Sequence, residues 1–515
     1  MINKNVWLCI TIIFGVAGVL MFSYLGFHPL LDPDEPVYAE TAREMLQFHD
    51  FISPRIYGEF WYDKPPMYYW LVAVAFKIFG TGEFAARFPS AFFAVGGSLL
   101  AYLSGRKLFN ERAGFLGALV LATSLEYFYL GNAAVTDMTL TFFLMAALLS
   151  FLHRKYYLLY GFAALAVVTK GPVAIFFCAV IIGLHLITTG SLKTVKSMKL
   201  ISGAALFAVI ALPWYVAMYF IHGMAFIDTF LGFHNVTRFL QPEHASGTLW
   251  YYYIPVLVLG FFPWTAFLGQ ALLAGGKEKG EYRSTCIFLC IWAAIVFGFF
   301  SLSQTKLISY ILPMYPPLAM LVGYYLDKAW TEERYKALKS SAIIFAVVAS
   351  FLIAGLFYAG RVVTAEMMFS VKVLAGILSL LTVYVLVQSF CHKFRAVMVS
   401  YVLGMIIFTG FLMIQTLPLV TPSLSVKQFV KEFKQQYDGQ APVYIARFYQ
   451  PGFMYYSGMA GTELDSDKLE ATILGKTDKA YFIVQKKKYE RLSPTTLSKL
   501  RVLTVQEDKV FFTRD

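Results

Sequence analysis

Acidic residues cluster near one end of an otherwise apolar chain, and their types could do chemistry. Asp32, Asp34 and Glu35 lie within four residues of one another. Asp34 shortly before Pro36 is a helix-start signal, and a capping carboxylate contributes about 1 kcal/mol to a helix. Three acids together also predict a general base, or a site that binds a cation or a sugar. The spacing alone leaves both interpretations open.

A second acid, Asp137, stands at the start of an apolar segment. It could simply cap that helix. The membrane topology predicted from the apolar segments and the loop charges puts Asp137 on the same side of the membrane as Asp34. Two carboxylates that face one cavity suit acid–base work on a hydroxyl, because one takes the proton while the other orients the acceptor or raises its neighbour's pKa.

Four separated cations, Lys64, Lys170, Arg238 and Lys306, lie at the ends of apolar segments. Lys64 could snorkel from an interfacial helix, and Lys170 could simply be a basic residue at the C-terminal end of a helix. Lys306 is expected at a helix start, where the macrodipole disfavours a cation, so an anion is predicted nearby. Cations at lipid depth beside carboxylates suit a lipid-linked phosphate whose attached group is transferred.

Two histidines, His234 and His244, are the candidate ligands for a divalent metal. Their spacing is not that of a compact metal site, so a metal is only a secondary hypothesis. The five cysteines form no C-x-x-C pair. We therefore expect buried thiols rather than disulfides or zinc ligands.

The amino-acid composition indicates the kind of fold that positions these residues. Of the 515 residues, 58% are hydrophobic and only 14% are charged, and the mean hydropathy is +0.62. This predicts a polytopic α-helical membrane protein. The net charge of +12 is explained by cytoplasmic loops that collect Lys and Arg, so no nucleic acid partner is predicted.

Thirteen apolar segments are predicted to cross the membrane, because a run of about 18 or more apolar residues is typical of a spanning helix. They are residues 6–27, 88–108, 114–130, 137–152, 157–169, 171–188, 199–220, 249–272, 285–303, 306–326, 340–359, 371–390 and 396–417. Segment 66–80 is also apolar but short, and we expect it to lie in the interface. The loops on one side then hold 18 Lys or Arg and the short loops opposite hold 5, which places the N-terminus in the cytoplasm.

This topology predicts two domains. Residues 1–422 form the membrane domain, with external loops at 28–87 and 221–248. Residues 423–515 carry 15 Lys or Arg and 11 Asp or Glu, with strand-like runs at Val443–Ala446, Tyr481–Gln485 and Val510–Thr513. They are predicted to be a small external α/β domain, and they contain no complete nucleotide-binding motif.

A set of short motifs makes the chain similar to a known family. They are Pro33-Asp34-Glu35, Tyr38-Ala39-Glu40, Arg43-Glu44-Met45-Leu46, Asp63-Lys64-Pro65, Thr169-Lys170-Gly171, Leu212-Pro213-Trp214, 234–239, Trp250-Tyr251-Tyr252, and Lys306 with Tyr310-Ile311-Leu312-Pro313. In this order they resemble the bacterial 4-amino-4-deoxy-L-arabinose (lipid A) transferases. Those enzymes belong with the protein O-mannosyltransferases among the GT-C glycosyltransferases.

The resemblance implies a GT-C fold with thirteen spans in the bacterial inner membrane and a periplasmic site. It implies a monomeric enzyme that moves a sugar, with inversion, from polyprenyl phosphate to lipid A or another periplasmic acceptor. By the same resemblance, Asp34, Asp137 and Glu35 are the expected catalytic residues. The expected substrate-binding residues are Lys64, Lys170, Arg238, Lys306, Tyr38, Asp63 and His234.

The sugar and the acceptor stay open at this point. The aminoarabinose enzymes carry an Arg three residues after the catalytic Asp, where this chain has Val37. A protein O-mannosyltransferase-like activity on Ser or Thr is the alternative among enzymes. A lipid-linked sugar flippase or a non-catalytic scaffold is the alternative of another class.

Overall fold

Helices make up most of the chain in the computed structural model. The structure describes residues 4–237, 240–241, 249–362, 367–476 and 478–514, apart from the side chains of residues 4, 234–236 and 466. The chain folds into two compact units. Unit one comprises Met1–Leu25, Tyr62–Leu71 and Arg87–Leu412, and unit two comprises Gly26–Trp61, Val72–Ala86 and Met413–Asp515. The domain boundary predicted at residue 423 stays a prediction.

The first 411 residues are predominantly helical. The α-helices here are Lys4–Phe22, Asp34–Phe48, Met67–Phe79, Glu83–Leu108, Glu111–Ala122, Leu125–Gly131, Thr136–Leu152, Tyr156–Lys170, Val173–Thr188, Leu200–His222, Met224–Phe226, Tyr253–Gly260, Thr265–Gly276, Arg283–Leu302, Tyr315–Thr331, Tyr335–Val362, Met367–Phe390 and Phe394–Phe411. Leu192–Ser197 and Ile308–Met314 are 3₁₀ helices, and Ile227–Thr237 is a π-helix. Each predicted span overlaps one or two of these helices.

The chain is a polytopic helical membrane protein. Within its described residues, seven helices are long and apolar enough to cross a membrane, or nine if each of two bent pairs counts as one span. One bent pair, Glu111–Ala122 with Leu125–Gly131, turns by 64°. The other, Tyr253–Gly260 with Thr265–Gly276, turns by 107°. The hydropathy of segments 114–130 and 249–272 did not predict these bends.

The bends have local causes. At the first, Thr123 Oγ1 and Ser124 Oγ donate to the carbonyl oxygens of Leu119 and Val120, at 2.6 and 2.7 Å. Hydroxyls that bond one turn back compete with the helix and bend it. Pro263 lies in the second break, and it has no N–H with which to continue a helix.

Glycines let helices of unit one pack with their backbones in contact. A Cβ atom on Gly323 would lie 2.4 Å from the backbone nitrogen of Gly117. A Cβ atom on Gly105 would lie 2.8 Å from the Cα atom of Gly114. Membrane helices commonly use small residues in this way, because close packing is a main source of their association.

Gly323→Ala is therefore expected to destabilise unit one. The added methyl group has no room, and overpacking of this kind costs about 1–3 kcal/mol. Thermal unfolding of the purified protein in detergent measures the effect. Gly376→Ala is the matched control, because no atom lies within 4 Å of its Cβ position; equal unfolding temperatures for the two variants would contradict the prediction.

The predicted external loop 28–87 contains regular structure. It holds helix Asp34–Phe48, helix Met67–Phe79, and a hairpin of β1 (Arg55–Ile56) and β2 (Glu59–Phe60). Helix Met67–Phe79 corresponds to the apolar segment predicted at 66–80. Its placement in the interface stays a prediction.

The end of the chain forms a mixed sheet with short helices. Its strands are β3 (Val443–Ala446), β4 (Thr462–Leu464), β5 (Ala480–Gln485), β6 (Leu500–Gln506) and β7 (Lys509–Arg514). The order is β4-β3-β5-β7-β6, in which β3 runs parallel to β4 and β5, and β7 runs antiparallel to β5 and β6. The three predicted strands are present, whereas β4 and β6 were not predicted because neither is a compact apolar run.

Helices make up most of the other regular structure after residue 411. They are the α-helices Leu417–Leu424, Lys427–Gln436, Gln450–Ser457, Leu469–Leu474, Lys486–Tyr489 and Pro494–Leu497, the 3₁₀ helix Ser466–Lys468 and the π-helix Leu412–Thr416. Phe429, Phe433 and Phe453 pack on one side with Ile445. Alternation of side chains along the strands puts Phe482 and Phe512 in a second core.

Candidate functional site

Asp34 begins a helix in unit two. The helix starts at Asp34 itself, and Pro33 occupies the cap position. The prediction that Asp34 caps this helix is therefore wrong, because the cap is the preceding residue. Its side chain is exposed, and it lies in the first turn, where the helix dipole stabilises negative charge.

Two other predicted site residues lie in the same helix. Glu35 is buried, and its Oε2 accepts a hydrogen bond from the backbone N–H of Leu31 at 2.8 Å. Tyr38 is half-buried one turn further on. Glu35 thus ties the turn that precedes the helix, while Asp34 faces outward next to it.

Glu40 is a fully buried acid in the same helix that sequence reasoning assigned no role. Arg43 Nη2 lies 2.6 Å from Glu40 Oε2. Burial nevertheless raises the pKa of Glu40 to about 7, because the loss of hydration outweighs the neighbouring guanidinium. Glu44 lies nearby, and burial raises its pKa as well.

The raised pKa of Glu40 predicts that unit two loses stability as the pH rises. The folded state binds the proton more tightly than the unfolded state does. The contribution is therefore full below the ordinary pKa of 4.5 and is lost as the pH passes about 7. The shift corresponds to about 3 kcal/mol. Glu40→Gln should reduce the fall of the unfolding temperature between the ordinary pKa of 4.5 and about pH 7.

The control for this experiment is Glu490→Gln, because Glu490 is exposed. That variant should keep the pH dependence of the wild type. A Glu40→Gln protein whose unfolding temperature still falls with pH as steeply as the wild type would contradict the assignment to Glu40.

In unit one, Asp137 and Lys170 form an ion pair. Lys170 Nζ donates to Asp137 Oδ1 at 2.6 Å, and both side chains are nearly buried. Asp137 lies in the first turn of helix Thr136–Leu152, and Lys170 is the last residue of helix Tyr156–Lys170. The helix dipoles therefore favour both charges. The cap of the Asp137 helix is Val135 rather than Asp137.

Tyr310 completes this group, and sequence reasoning gave it no role. Lys170 Nζ lies 4.7 Å from the centre of the Tyr310 ring, within the range of a cation–π interaction. Tyr310 lies in the 3₁₀ helix Ile308–Met314. Its position four residues after Lys306 was the available signal, because it makes the tyrosine a close neighbour of a predicted site residue.

The side chain of Lys306 does not lie where the helix-dipole argument predicted it. Its Nζ donates to the carbonyl oxygen of Ser303 at 2.6 Å. Ser303 caps the C-terminus of helix Arg283–Leu302, where a cation is favourable. The prediction of a dipole-disfavoured cation is therefore wrong, because the side chain reaches back to the preceding helix.

Lys64 lies in unit one beside Asp63. Its Nζ donates to Asp63 Oδ1 at 2.8 Å. An aromatic cluster supports this segment, since Tyr62 and Trp70 pack against the core of Trp214, Met218, Phe226 and Phe230. The Tyr62 hydroxyl and His222 Nδ1 are 3.1 Å apart. Lys64 is thus held by a packed scaffold and is not a mobile surface lysine.

Glu126 is a buried acid that sequence reasoning missed. It lies in helix Leu125–Gly131, accepts a hydrogen bond from the Tyr315 hydroxyl, and interacts electrostatically with Asp137. The available signal was an acidic residue inside the predicted span 114–130, because ionisable residues at membrane depth are commonly functional.

Some predicted residues lie outside the described structure. They are Arg238, His244 and the side chain of His234. Among the residues that are described, no group of three or more His, Cys, Asp or Glu could hold a metal ion.

The predicted site residues fall into both units. Unit one brings together Asp137, Lys170 and Tyr310, and separately Asp63 and Lys64. Unit two holds Asp34, Glu35 and Tyr38. That Asp34 and Asp137 share one cavity stays a prediction. Within unit one, the ammonium of Lys170 has three N–H donors and gives one to Asp137, so the group can both bind an anion and orient a proton acceptor.

Comparison with known sequences shows which proteins this chain is similar to. Residues 63–216 match the model of a family described as dolichyl-phosphate-mannose-protein mannosyltransferase. The chain is 30% identical to the undecaprenyl phosphate-alpha-4-amino-4-deoxy-L-arabinose arabinosyl transferase of Pectobacterium carotovorum over 331 residues. This alignment covers 62% of this chain and 59% of that protein. It is 32% identical over 344 residues to the protein of the same name from Erwinia tasmaniensis, covering 63% and 61%. The match thus spans about three fifths of these relatives.

Comparison with solved structures shows the fold. The crystal structure of ArnT from Cupriavidus metallidurans bound to undecaprenyl phosphate superposes with a TM-score of 0.78 at 21% identity, covering 100% of this chain and 99% of that one. The oligosaccharyltransferase of Archaeoglobus fulgidus in its apo form gives a TM-score of 0.53 at 13% identity, covering 93% and 69%. The fold is therefore the GT-C fold, in the form that ArnT has.

Proposed function

We propose that the chain is a GT-C glycosyltransferase, because residues 63–216 match a protein mannosyltransferase family model, the chain is similar to bacterial aminoarabinose transferases, and its fold is that of ArnT. Its donor is a sugar linked to polyprenyl phosphate. The observation that carries this proposal is the Lys170 ammonium, held between Asp137 and Tyr310 at the ends of two apolar helices. A cation at this position suits the phosphate of a lipid-linked sugar.

The predicted residues take different roles in this reaction. Lys170, Lys64, Lys306 and Arg238 bind the donor phosphate, with Tyr38, Asp63 and His234 at the substrate. Asp34 acts as the base on, or the positioner of, the acceptor. Asp137 orients the Lys170 side chain through their hydrogen bond, and Glu35 supports the turn that carries Asp34.

The chemical step is a displacement with inversion at the anomeric carbon. The acceptor oxygen forms a bond to that carbon while the bond to the phosphate oxygen breaks, and polyprenyl phosphate leaves. A hydroxyl acceptor gives its proton to the Asp34 carboxylate. Lysine side chains that stabilise the developing phosphate charge could contribute several kcal/mol, because one preorganised donor is typically worth about 3–4 kcal/mol.

The proposed architecture has thirteen spans. Nine are the long helices and bent pairs, and four shorter segments complete the set: Thr136–Leu152, Tyr156–Lys170, Val173–Thr188 and 308–331. A 17-residue helix is about 25 Å long, close to the thickness of the hydrocarbon core. The protein would lie in the bacterial inner membrane, with the site and the C-terminal domain in the periplasm.

The best candidate reaction transfers 4-amino-4-deoxy-L-arabinose to lipid A. Its support is the similarity to the arabinosyl transferases, at 30–32% identity over about three fifths of their length. Transfer of a sugar to a protein hydroxyl or another glycan is the second candidate, supported by the mannosyltransferase family match over residues 63–216.

Mass spectrometry of lipid A and of periplasmic glycoconjugates, from cells with and without the protein, tests these candidates. A mass difference equal to one aminoarabinose on lipid A identifies the first candidate, and a glycan difference on protein identifies the second. In reconstituted vesicles, an enzyme releases free polyprenyl phosphate when acceptor is added. Movement of labelled lipid-sugar across the vesicle without product would instead identify a flippase and overturn the proposal.

A further inference from the structure

Asp32 joins the loop that precedes Asp34 to a distant part of the chain. Its backbone N–H donates to the carbonyl oxygen of Leu424 at 2.9 Å. Its Oδ2 accepts a hydrogen bond from the backbone N–H of Val426 at 2.9 Å. Two bonds to one short segment restrict both the position and the direction of the Asp32 backbone. Asp34 follows only two residues later.

Gly452 shows how closely the C-terminal region, residues 413–514 of unit two, encloses Asp32. A Cβ atom on Gly452 would lie 2.0 Å from Asp32 Oδ1 and 2.9 Å from Val426 Cγ2. The Asp32 carboxyl group therefore occupies the space that any other side chain at position 452 would need. The contact depends on the absence of that side chain.

The segment that holds Asp32 is itself attached to the sheet. Lys509, at the start of β7, is buried, and its Nζ donates to the carbonyl oxygens of Pro422 and Ser423 at 2.9 and 3.2 Å. The same ammonium lies 3.0 Å from Asp508 Oδ1. Hydrogen bonds thus run from strand β7, through residues 422–426, to Asp32.

The C-terminal region also holds the Asp34 helix at other points. The backbone N–H of Leu30 donates to the Tyr456 hydroxyl at 2.7 Å. Arg43 Nη1 donates to the carbonyl oxygen of Tyr455 at 2.9 Å, and Nη2 to that of Met454 at 3.3 Å. The helix is therefore fixed before its first residue and again at its third turn.

From these contacts we propose that Asp32 is a positioning residue for Asp34, and that the C-terminal region is the support through which it acts. This role rests on the proposed function, because it assumes that Asp34 serves the acceptor. It gives the C-terminal region, which contains no complete nucleotide-binding motif, a role in the reaction. A base must be held close to its working geometry, and a displacement of about 1 Å can cost about 100-fold in rate.

The experiment uses the full chain in lipid nanodiscs, with Asp32→Ala, Asp32→Asn and Gly452→Ala. Asp32→Ala and Gly452→Ala should each lower kcat for sugar transfer by about 10- to 100-fold. The KM for the donor should stay within about threefold, because donor-binding groups are unchanged. Asp32→Asn keeps an oxygen that accepts from Val426 N–H and should restore most of the rate.

Hydrogen exchange of the backbone amides of residues 31–38 provides a readout that does not depend on activity. Asp32→Ala should accelerate this exchange, whereas Asp32→Asn should not. The controls are Asp467→Ala, whose side chain is 89% exposed, and Gly82→Ala, whose Cβ position is open. Neither control should change kcat or the exchange.

The outcomes separate this proposal from the proposed function. Accelerated exchange together with a lowered kcat, both corrected by Asp32→Asn, supports the positioning role. Unchanged exchange overturns the attachment, and accelerated exchange with an unchanged kcat overturns its role in the reaction. Absence of transfer by the wild type with every donor overturns the proposed function, and with it the positioning role, while the exchange result still reports on the attachment.

Discussion

Replacing Asp34 with Asn is expected to abolish the proposed sugar transfer and to leave the protein folded. The side chain is exposed and lies in the first turn of its helix, where a surface charge is worth about 0.3–1 kcal/mol through the helix dipole. Removal of a general base typically lowers the rate by about 100- to 10,000-fold. The amide keeps the size of the side chain but cannot accept the acceptor's proton. The loss therefore appears in kcat rather than in stability.

Release of polyprenyl phosphate in nanodiscs measures this loss, and thermal unfolding checks the fold. Glu59→Gln is the control, because Glu59 is an exposed acid in β2 of the same unit. Its turnover should match that of the wild type. Turnover of Asp34→Asn within about threefold of the wild type would remove Asp34 from the mechanism.

Lys170→Met is expected to have the second large effect, on both stability and the proposed activity. The change leaves the nearly buried Asp137 carboxylate without its partner at 2.6 Å. Breaking a buried pair in this way costs about 3–5 kcal/mol. Transfer is lost as well, because the cation proposed to bind the donor phosphate is absent. Thermal unfolding and the phosphate-release assay measure the two effects separately.

The double variant Asp137→Asn/Lys170→Met separates stability from chemistry. Removing both charges should return the unfolding free energy to within about 1–2 kcal/mol of the wild type, because no unpaired charge remains. Transfer should not return. Lys196→Met, at an exposed lysine, serves as the control and should behave as the wild type. Recovery of transfer in the double variant would show that Lys170 only balances the charge of Asp137.

Much of the helical architecture could be predicted from the sequence. Hydropathy is a property of contiguous residues, so all thirteen predicted segments overlap helices in the structure. The compact apolar run at Tyr481–Gln485 identified the central strand β5 for the same reason. The exposed strand β6 (Leu500–Gln506) was not predicted, because it has no comparable apolar run.

The bends were not predictable from the average apolarity of a segment. Thr123 and Ser124 are uncharged and scarcely alter the hydropathy of segment 114–130, yet their hydroxyl groups bond back to the helix. Glu126 follows directly after this bend. A single acid in an apolar run marks a candidate site, but the sequence does not reveal that Tyr315 is its partner.

The sequence alone determined that this is a membrane protein of many helices with acids and cations at the ends of its apolar segments. The tertiary structure decided which charges meet. Lys170 pairs with Asp137, 33 residues away, Lys306 reaches back to the carbonyl oxygen of Ser303, and Asp32 is bound by residues 424–426. Residue types and hydropathy are local properties of the chain, whereas the partner of a buried charge depends on how distant segments pack.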